Sequence, residues 1–236
     1  MIYEFIKQAV ENKKKLVAAL IDPDTDTGIS LEERVECINR SRVDLVFVGG
    51  STLYNRDFDE FVKKIKGLTE NPVIIFPGSA LQISKHADAI LFLSLISGRN
   101  PQYLIGEHVR AAPRLKKMDV EVIPTGYMLI ESGSTTTVEF ISNTRPIPRN
   151  KNEIALAHAL AGEFLGMKLI YMDAGSGADN SIPAEMIRVV KNGITVPLII
   201  GGGIRSKEDI QEKFSAGADI VVIGSLLEKE PEALKR

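Results

Sequence analysis

The sequence predicts a closed (β/α)8 barrel, the TIM barrel, built from residues 1–236 as a single domain. Three observations carry this. Eight short runs rich in Val, Ile and Leu recur along the chain, and they are continuously apolar rather than alternating, as strands covered on both faces are. Amphipathic segments separate most of them, which implies a parallel sheet with right-handed crossovers. Eight such units in 236 residues, with no Pro/Ser-rich linker or low-complexity tract between them, suit a closed barrel better than an open sheet.

Before the first strand, Ile2, Phe5, Ile6, Ala9 and Val10 are spaced like one face of a helix, without the apolar core of a signal peptide. The expected strands are 16–22, 45–50, 72–77, 89–96, 121–127, 168–173, 197–202 and 220–224; the expected helices are 31–40, 56–68, 101–116, 152–165, 183–191 and 207–216. The connection between the third and fourth strands, 78–88, is tight for a crossover helix, which usually needs at least ~10–12 residues. A shortened or distorted third helix, with a gap in the outer ring, is therefore expected. The connection after the fifth strand, 131–150, is long and rich in Gly, Ser, Thr and Pro, as functional or mobile loops at the active-site end of a barrel are.

Composition narrows the classes. A net charge of −2 offers no basic surplus for nucleic acid. Apolar stretches such as 89–96 are too short for a transmembrane segment, and a cytoplasmic location follows as the expectation. The single cysteine, Cys37, falls in a helical run and reads as a buried structural thiol. His86, His108 and His158 are scattered and read as surface or packing residues.

In this fold the active site is built from strand C-termini and the loops after them. The seventh strand ends in Gly201-Gly202-Gly203-Ile204-Arg205 and the eighth in Gly224-Ser225. Glycines let main-chain N–H groups approach an anion closely, and the following helix N-termini favour negative charge, so these loops are expected to grip a phosphate. The sixth strand runs into Tyr171-Met172-Asp173-Ala174-Gly175-Ser176-Gly177. Asp173 there suits a general base or a ligand for substrate hydroxyls, and Tyr171 shares its face. The first strand ends at Asp22, followed by Asp24 and Asp26. Asp22, with Ser51 after the second strand, suits a hard cation such as Mg2+, which takes one or two carboxylates and completes its shell with phosphates.

These residues together resemble the geranylgeranylglyceryl phosphate synthase and heptaprenylglyceryl phosphate synthase family. The likeness runs through Ile21-Asp22-Pro23-Asp24, Val48-Gly49-Gly50-Ser51-Thr52, Gly126-Tyr127-Met128-Leu129-Ile130, Thr144-Arg145-Pro146-Ile147-Pro148, Ala157-His158-Ala159-Leu160-Ala161, 171–177, 201–205 and Gly224-Ser225. The resemblance implies a prenyltransferase of archaeal-type lipid synthesis. It would join the C3 hydroxyl of sn-glycerol 1-phosphate to a prenyl diphosphate, with geranylgeranyl diphosphate the expected donor, and release diphosphate. It further implies Mg2+ at Asp22 and Ser51, glycerol 1-phosphate held by Tyr171 to Gly177 with Gly202, Gly203, Gly224 and Ser225, and a homo-oligomer. At Asp173 relatives often carry Glu; the shorter side chain keeps the charge with less reach. A prenyl tail needs an apolar groove, expected at the short third connection near Leu81, Ile83 and Leu95. The Asp-Asp-x-x-Asp motif of helical prenyl synthases is absent, which argues against chain elongation. Two other readings stay open: a sugar-phosphate isomerase or lyase on the same kind of barrel, and a non-catalytic phosphate-ligand binder. Prenyl length, oligomer size and motion of the 131–150 loop are not legible.

Overall fold

The computed structural model describes residues 1–25, 28–54 and 57–224. Its eight parallel strands close in sequence order: β1 (Leu16–Ile21), β2 (Leu45–Val48), β3 (Val73–Ile75), β4 (Ala89–Leu95), β5 (Glu121–Leu129), β6 (Leu169–Asp173), β7 (Leu198–Gly201) and β8 (Ile220–Ile223), with β8 pairing back onto β1. The barrel therefore forms as the apolar runs predict.

Side-chain alternation splits the core into two layers. One fills the barrel, with Leu16, Phe47, Leu91, Tyr127, Tyr171 and Ile199 among its members. The other lies between strands and helices and includes Ile21, Val46, Ile75, Ile170, Met172 and Ile200. Helix α1 (Ile2–Glu11) closes the N-terminal mouth: Ile6 and Ala9 join the interior layer, and Tyr3 N–H donates to Glu121 at the start of β5. The outer helices are α2 (Leu31–Asn39), α3 (Phe58–Lys66), α4 (Glu107–Leu115), α6 (Asn152–Phe164), α7 (Ala184–Gly193) and α8 (Lys207–Ala216), with α5 (Thr137–Ser142) inside the long 131–150 connection.

Three details depart from simple expectation. The third crossover helix is shortened to nothing: residues 78–88 form turns, bends and irregular chain. The run 101–116 begins as one π-helical turn, Gln102–Gly106, before α4. Cys37 is half-buried against the outer layer rather than fully buried.

The N-terminal rim is built on a repeated device. Asp44, Asp88 and Asp219 each precede an even-numbered strand, and each carboxylate accepts the N–H at the start of the preceding strand: Val17 (3.0 Å), Val73 (2.7 Å) and Leu198 (2.9 Å). Each also pairs with a lysine: Lys14 (2.8 Å), Lys66 (2.7 Å) and Lys191 (2.6 Å). Charge-assisted bonds of this kind, at about 1.5–3 kcal/mol each, pin the strand register from below.

Candidate active site at the C-terminal mouth

A cavity of about 200 Å³ opens at the strand C-termini. From the predicted set it is lined by Asp22, Ser51, Tyr171, Asp173, Gly175, Ser176, Gly177, Gly202, Gly203 and Gly224. Residues more than 200 apart in sequence thus line one cavity. Two predicted contacts need correction. Met172 and Ala174 do not line the cavity, because alternation along β6 turns Tyr171 and Asp173 inward and Met172 outward, into the helix-facing layer with Ala174. The Ala174 N–H is taken by the Gly201 carbonyl (3.1 Å). Ser225, like Asp26, falls outside the described residues.

Asp173 is the most constrained group in the mouth. Its Oδ2 accepts from the Tyr127 hydroxyl at 2.6 Å and its Oδ1 from the Gly175 N–H at 2.9 Å. Burial pushes its carboxyl above the usual range, opposed by the Tyr127 hydrogen bond and by the Gly175 and Ala174 amides. Burial also drives the Tyr127 and Tyr171 hydroxyls well up, with the Asp173 charge adding to it. Beneath the carboxylate lies an aromatic floor: Phe76 stacks on Tyr171 at 4.9 Å, and Tyr127 meets Tyr171 edge-on at 5.5 Å. Gly202 lets the β7 loop lie against this carboxylate. At φ +80°, a Cβ there would stand 2.6 Å from Asp173 Oδ1 and 2.7 Å from the Gly175 nitrogen.

Among the described residues no Lys or Arg lines the cavity. The glycine loops are tied down from behind. Arg205 Nη2 donates to the Ala178 carbonyl (2.7 Å), and Ser206 and Asp209 form a capping box that starts α8.

On the opposite wall, Asp22 Oδ1 accepts from Asp24 N–H at 2.9 Å. The bare main chain of Gly50 backs the carboxylate, since a Cβ at Gly50 would stand 2.4 Å from Oδ2. The helix-less third connection builds this wall. Buried Gln82 accepts from the N–H groups of Gly50 and Gly78 (both 3.2 Å) and donates to the Gly50 carbonyl (2.8 Å).

A second, smaller cavity of about 50 Å³ sits where the third helix is missing and shares Pro77, Gly78 and Leu93 with the first. Of the three groove residues expected, only Ile83 lines it; Leu81 is exposed and Leu95 packs inside the barrel. His108 lines it too and is buried, with Nε2 3.0 Å from Ser94 Oγ and its ring edge-on to Phe92. Gln82 and Phe76 line or support the site outside every motif quoted above, and Tyr127 lay inside one without a role assigned to it. The signal for Tyr127 lay in parity, since it stands two residues before Leu129, the β5 partner of Asp173.

The comparisons agree with this geometry. The family model for the PcrB family matches residues 8–236. A geranylgeranylglyceryl phosphate synthase from Chitinophaga pinensis is 48% identical over 94% of this chain and 88% of its own length. Its counterpart from Flavobacterium johnsoniae is 48% identical over 97% and 94%. The crystal structure of (S)-3-O-geranylgeranylglyceryl phosphate synthase from Thermoplasma acidophilum in complex with its substrate sn-glycerol-1-phosphate superimposes with a TM-score of 0.89 at 36% identity, covering 97% of this chain and 92% of that one. With matches of this extent, the chain belongs to the PcrB family.

Proposed function

We propose that this protein is a prenyltransferase that joins the C3 hydroxyl of sn-glycerol 1-phosphate to a prenyl diphosphate, geranylgeranyl diphosphate being the expected donor, and releases diphosphate. One observation carries the reading. A single cavity sets a buried, oriented carboxylate, Asp173, beside the glycine loops on one side and Asp22 with Ser51 on the other, in a chain 48% identical to named synthases.

In this reading the loops after β6, β7 and β8 hold the phosphate and thereby present the C3 hydroxyl, so that encounter becomes orientation. Asp173 accepts the hydroxyl proton as the oxygen attacks the allylic carbon. Asp22 and Ser51 fit Mg2+, because both are hard oxygen donors on one wall of the cavity. When bound, the ion supplies charge stabilisation to the departing diphosphate. The second cavity, lined by Ile83, Ile90, Phe92 and Ala111 and sharing Leu93 with the first, suits the start of the prenyl tail. No helix among the described residues is long and apolar enough to cross a membrane; a cytoplasmic homo-oligomer acting on a lipid-soluble donor belongs to the same reading. The sugar-phosphate isomerase or lyase alternative is not favoured, since the relatives at 48% identity carry the synthase name.

The test is extraction of product from labelled sn-glycerol 1-phosphate and prenyl diphosphates of several lengths, with Mg2+ and with chelator. An organic-extractable prenylglyceryl phosphate that disappears with chelator, and in Asp22→Asn with glycerol phosphate affinity retained, is the expected result. Absence of product at every length refutes the transferase reading.

A further inference from the structure

We infer that Tyr127 is a positioning residue whose hydroxyl orients the Asp173 carboxylate and holds it in its ionised, proton-accepting form. The inference deepens the transferase reading, on which the need for a proton acceptor rests, but the contact itself does not depend on it.

The geometry is specific. Two donors bond the carboxylate, Tyr127 on Oδ2 at 2.6 Å and Gly175 N–H on Oδ1 at 2.9 Å, and the neighbouring Ala174 amide adds a smaller pull toward the charged form. With one bond per oxygen the plane of the group is set, while each oxygen keeps further lone-pair capacity toward the cavity. The Gly175 amide is a product of the turn and cannot be lost by mutation of a side chain. Tyr127 comes from a neighbouring strand and is the one side-chain anchor recorded on Asp173. Its own ring is fixed by Tyr171 (5.5 Å) and Phe76 (6.0 Å), so the hydroxyl cannot swing away without breaking the aromatic floor.

The electrostatics agree. Among the described residues, the titratable groups on the cavity wall around Asp173 are Tyr127 from β5, Tyr171 from β6 itself, Tyr103 from the π-helical turn and Asp22 beyond β1; β7 brings Gly201 and Gly202 against them. None is a cation. Hydrogen bonds therefore oppose the burial that favours the neutral acid, and Tyr127 supplies the largest of them.

The experiment follows the Asp173 carboxyl by carbon-13 NMR in aspartate-labelled protein, its signal assigned by its loss in Asp173→Asn. In Tyr127→Phe, which keeps the ring and removes the donor, the titration midpoint is expected to rise by about one pH unit. Turnover should fall about tenfold, equivalent to about 1.4 kcal/mol, with the acid limb of the rate profile displaced alkaline and KM for sn-glycerol 1-phosphate little changed. In an Asp173→Asn background the same substitution should cost almost nothing more, because the two act as a unit. Fluorotyrosine-labelled wild type, with stronger phenol donors, should shift the midpoint down; this arm decides the matter if Tyr127→Phe does not fold. An unmoved midpoint in the folded variant, or in the fluorotyrosine protein if that variant does not fold, overturns the inference. Failure of wild-type turnover would instead sink the transferase reading, with the NMR titration still deciding the role of Tyr127.

Discussion

The two ends of the barrel treat buried aspartates in opposite ways. At the N-terminal rim Asp219 is nearly inaccessible, yet Lys191 stands 2.6 Å away, Lys15 3.5 Å away, and Leu198 N–H donates to it at 2.9 Å. At the C-terminal mouth Asp173 is as deeply placed, and its recorded partners are a phenol and an amide. Burying a carboxylate costs several kcal/mol unless it is paired, so the first arrangement serves stability. The second leaves charge available in a cavity and carries a raised proton affinity as the consequence. Perturbed groups in clefts are where chemistry is expected, and the contrast separates this site from a merely structural carboxylate.

The sharpest break of that comparison is Asp173→Asn. Asn accepts from Gly175 N–H through its one oxygen and turns its NH2 to the Tyr127 hydroxyl, which then accepts; it takes no proton, so turnover should fall by about 10²–10⁴-fold with far-UV circular dichroism unchanged. Wild-type rates would remove Asp173 from the mechanism. Next comes Gly202→Ala, which forces a side chain into a left-handed conformation 2.6 Å from Asp173 Oδ1. Titration calorimetry should show sn-glycerol 1-phosphate affinity reduced by at least about tenfold, or about 1.4 kcal/mol; full affinity would place the phosphate elsewhere. The mirror experiment is Asp219→Asn. It should spare turnover and cost about 2 kcal/mol of stability, at the lower end for a broken buried pair because both lysines are partly exposed. Thermal melting should drop by roughly 4–8 °C.

Legibility followed the same division. The eight strands were visible because parallel strands buried on both faces leave continuous apolar runs, and the glycine loops were visible because the chemistry of close approach permits few residues. The depth of Asp173 was not legible, since it depends on Tyr127 and Phe76 arriving from other strands. Nor was Gln82, whose importance comes from replacing a helix that the short connection had no room to form. Met172 and Ala174 were drawn into the predicted site by lying inside a motif, although strand parity turns them away from it. The rim aspartates could have been found: Val43-Asp44-Leu45, Ala87-Asp88-Ala89 and Ala218-Asp219-Ile220 each set Asp between apolar residues at a strand start, a placement that only the neighbouring strand's N–H and a lysine make tolerable.

The finest test concerns what the exposed chemistry costs the fold. Asp173 has its carboxyl raised above the usual 3.8, with burial the leading cause. A carboxyl whose pKa is higher in the folded than in the unfolded chain binds more protons when folded, so its contribution to stability is full below 3.8 and is lost as pH rises through the folded value. Asp173→Asn removes that dependence while keeping the Gly175 hydrogen bond and reversing the direction of the one with Tyr127. Denaturant titrations of the two proteins should therefore converge at low pH and separate as pH rises, with the inactive Asn variant the more stable at neutrality. Asp219→Asn should instead be the less stable protein at neutral pH because its lysines lose their counter-charge. A parallel pH dependence of wild type and Asp173→Asn would mean that Tyr127 and Gly175 fully compensate the burial, and that the mouth carries its carboxylate at no expense to the barrel.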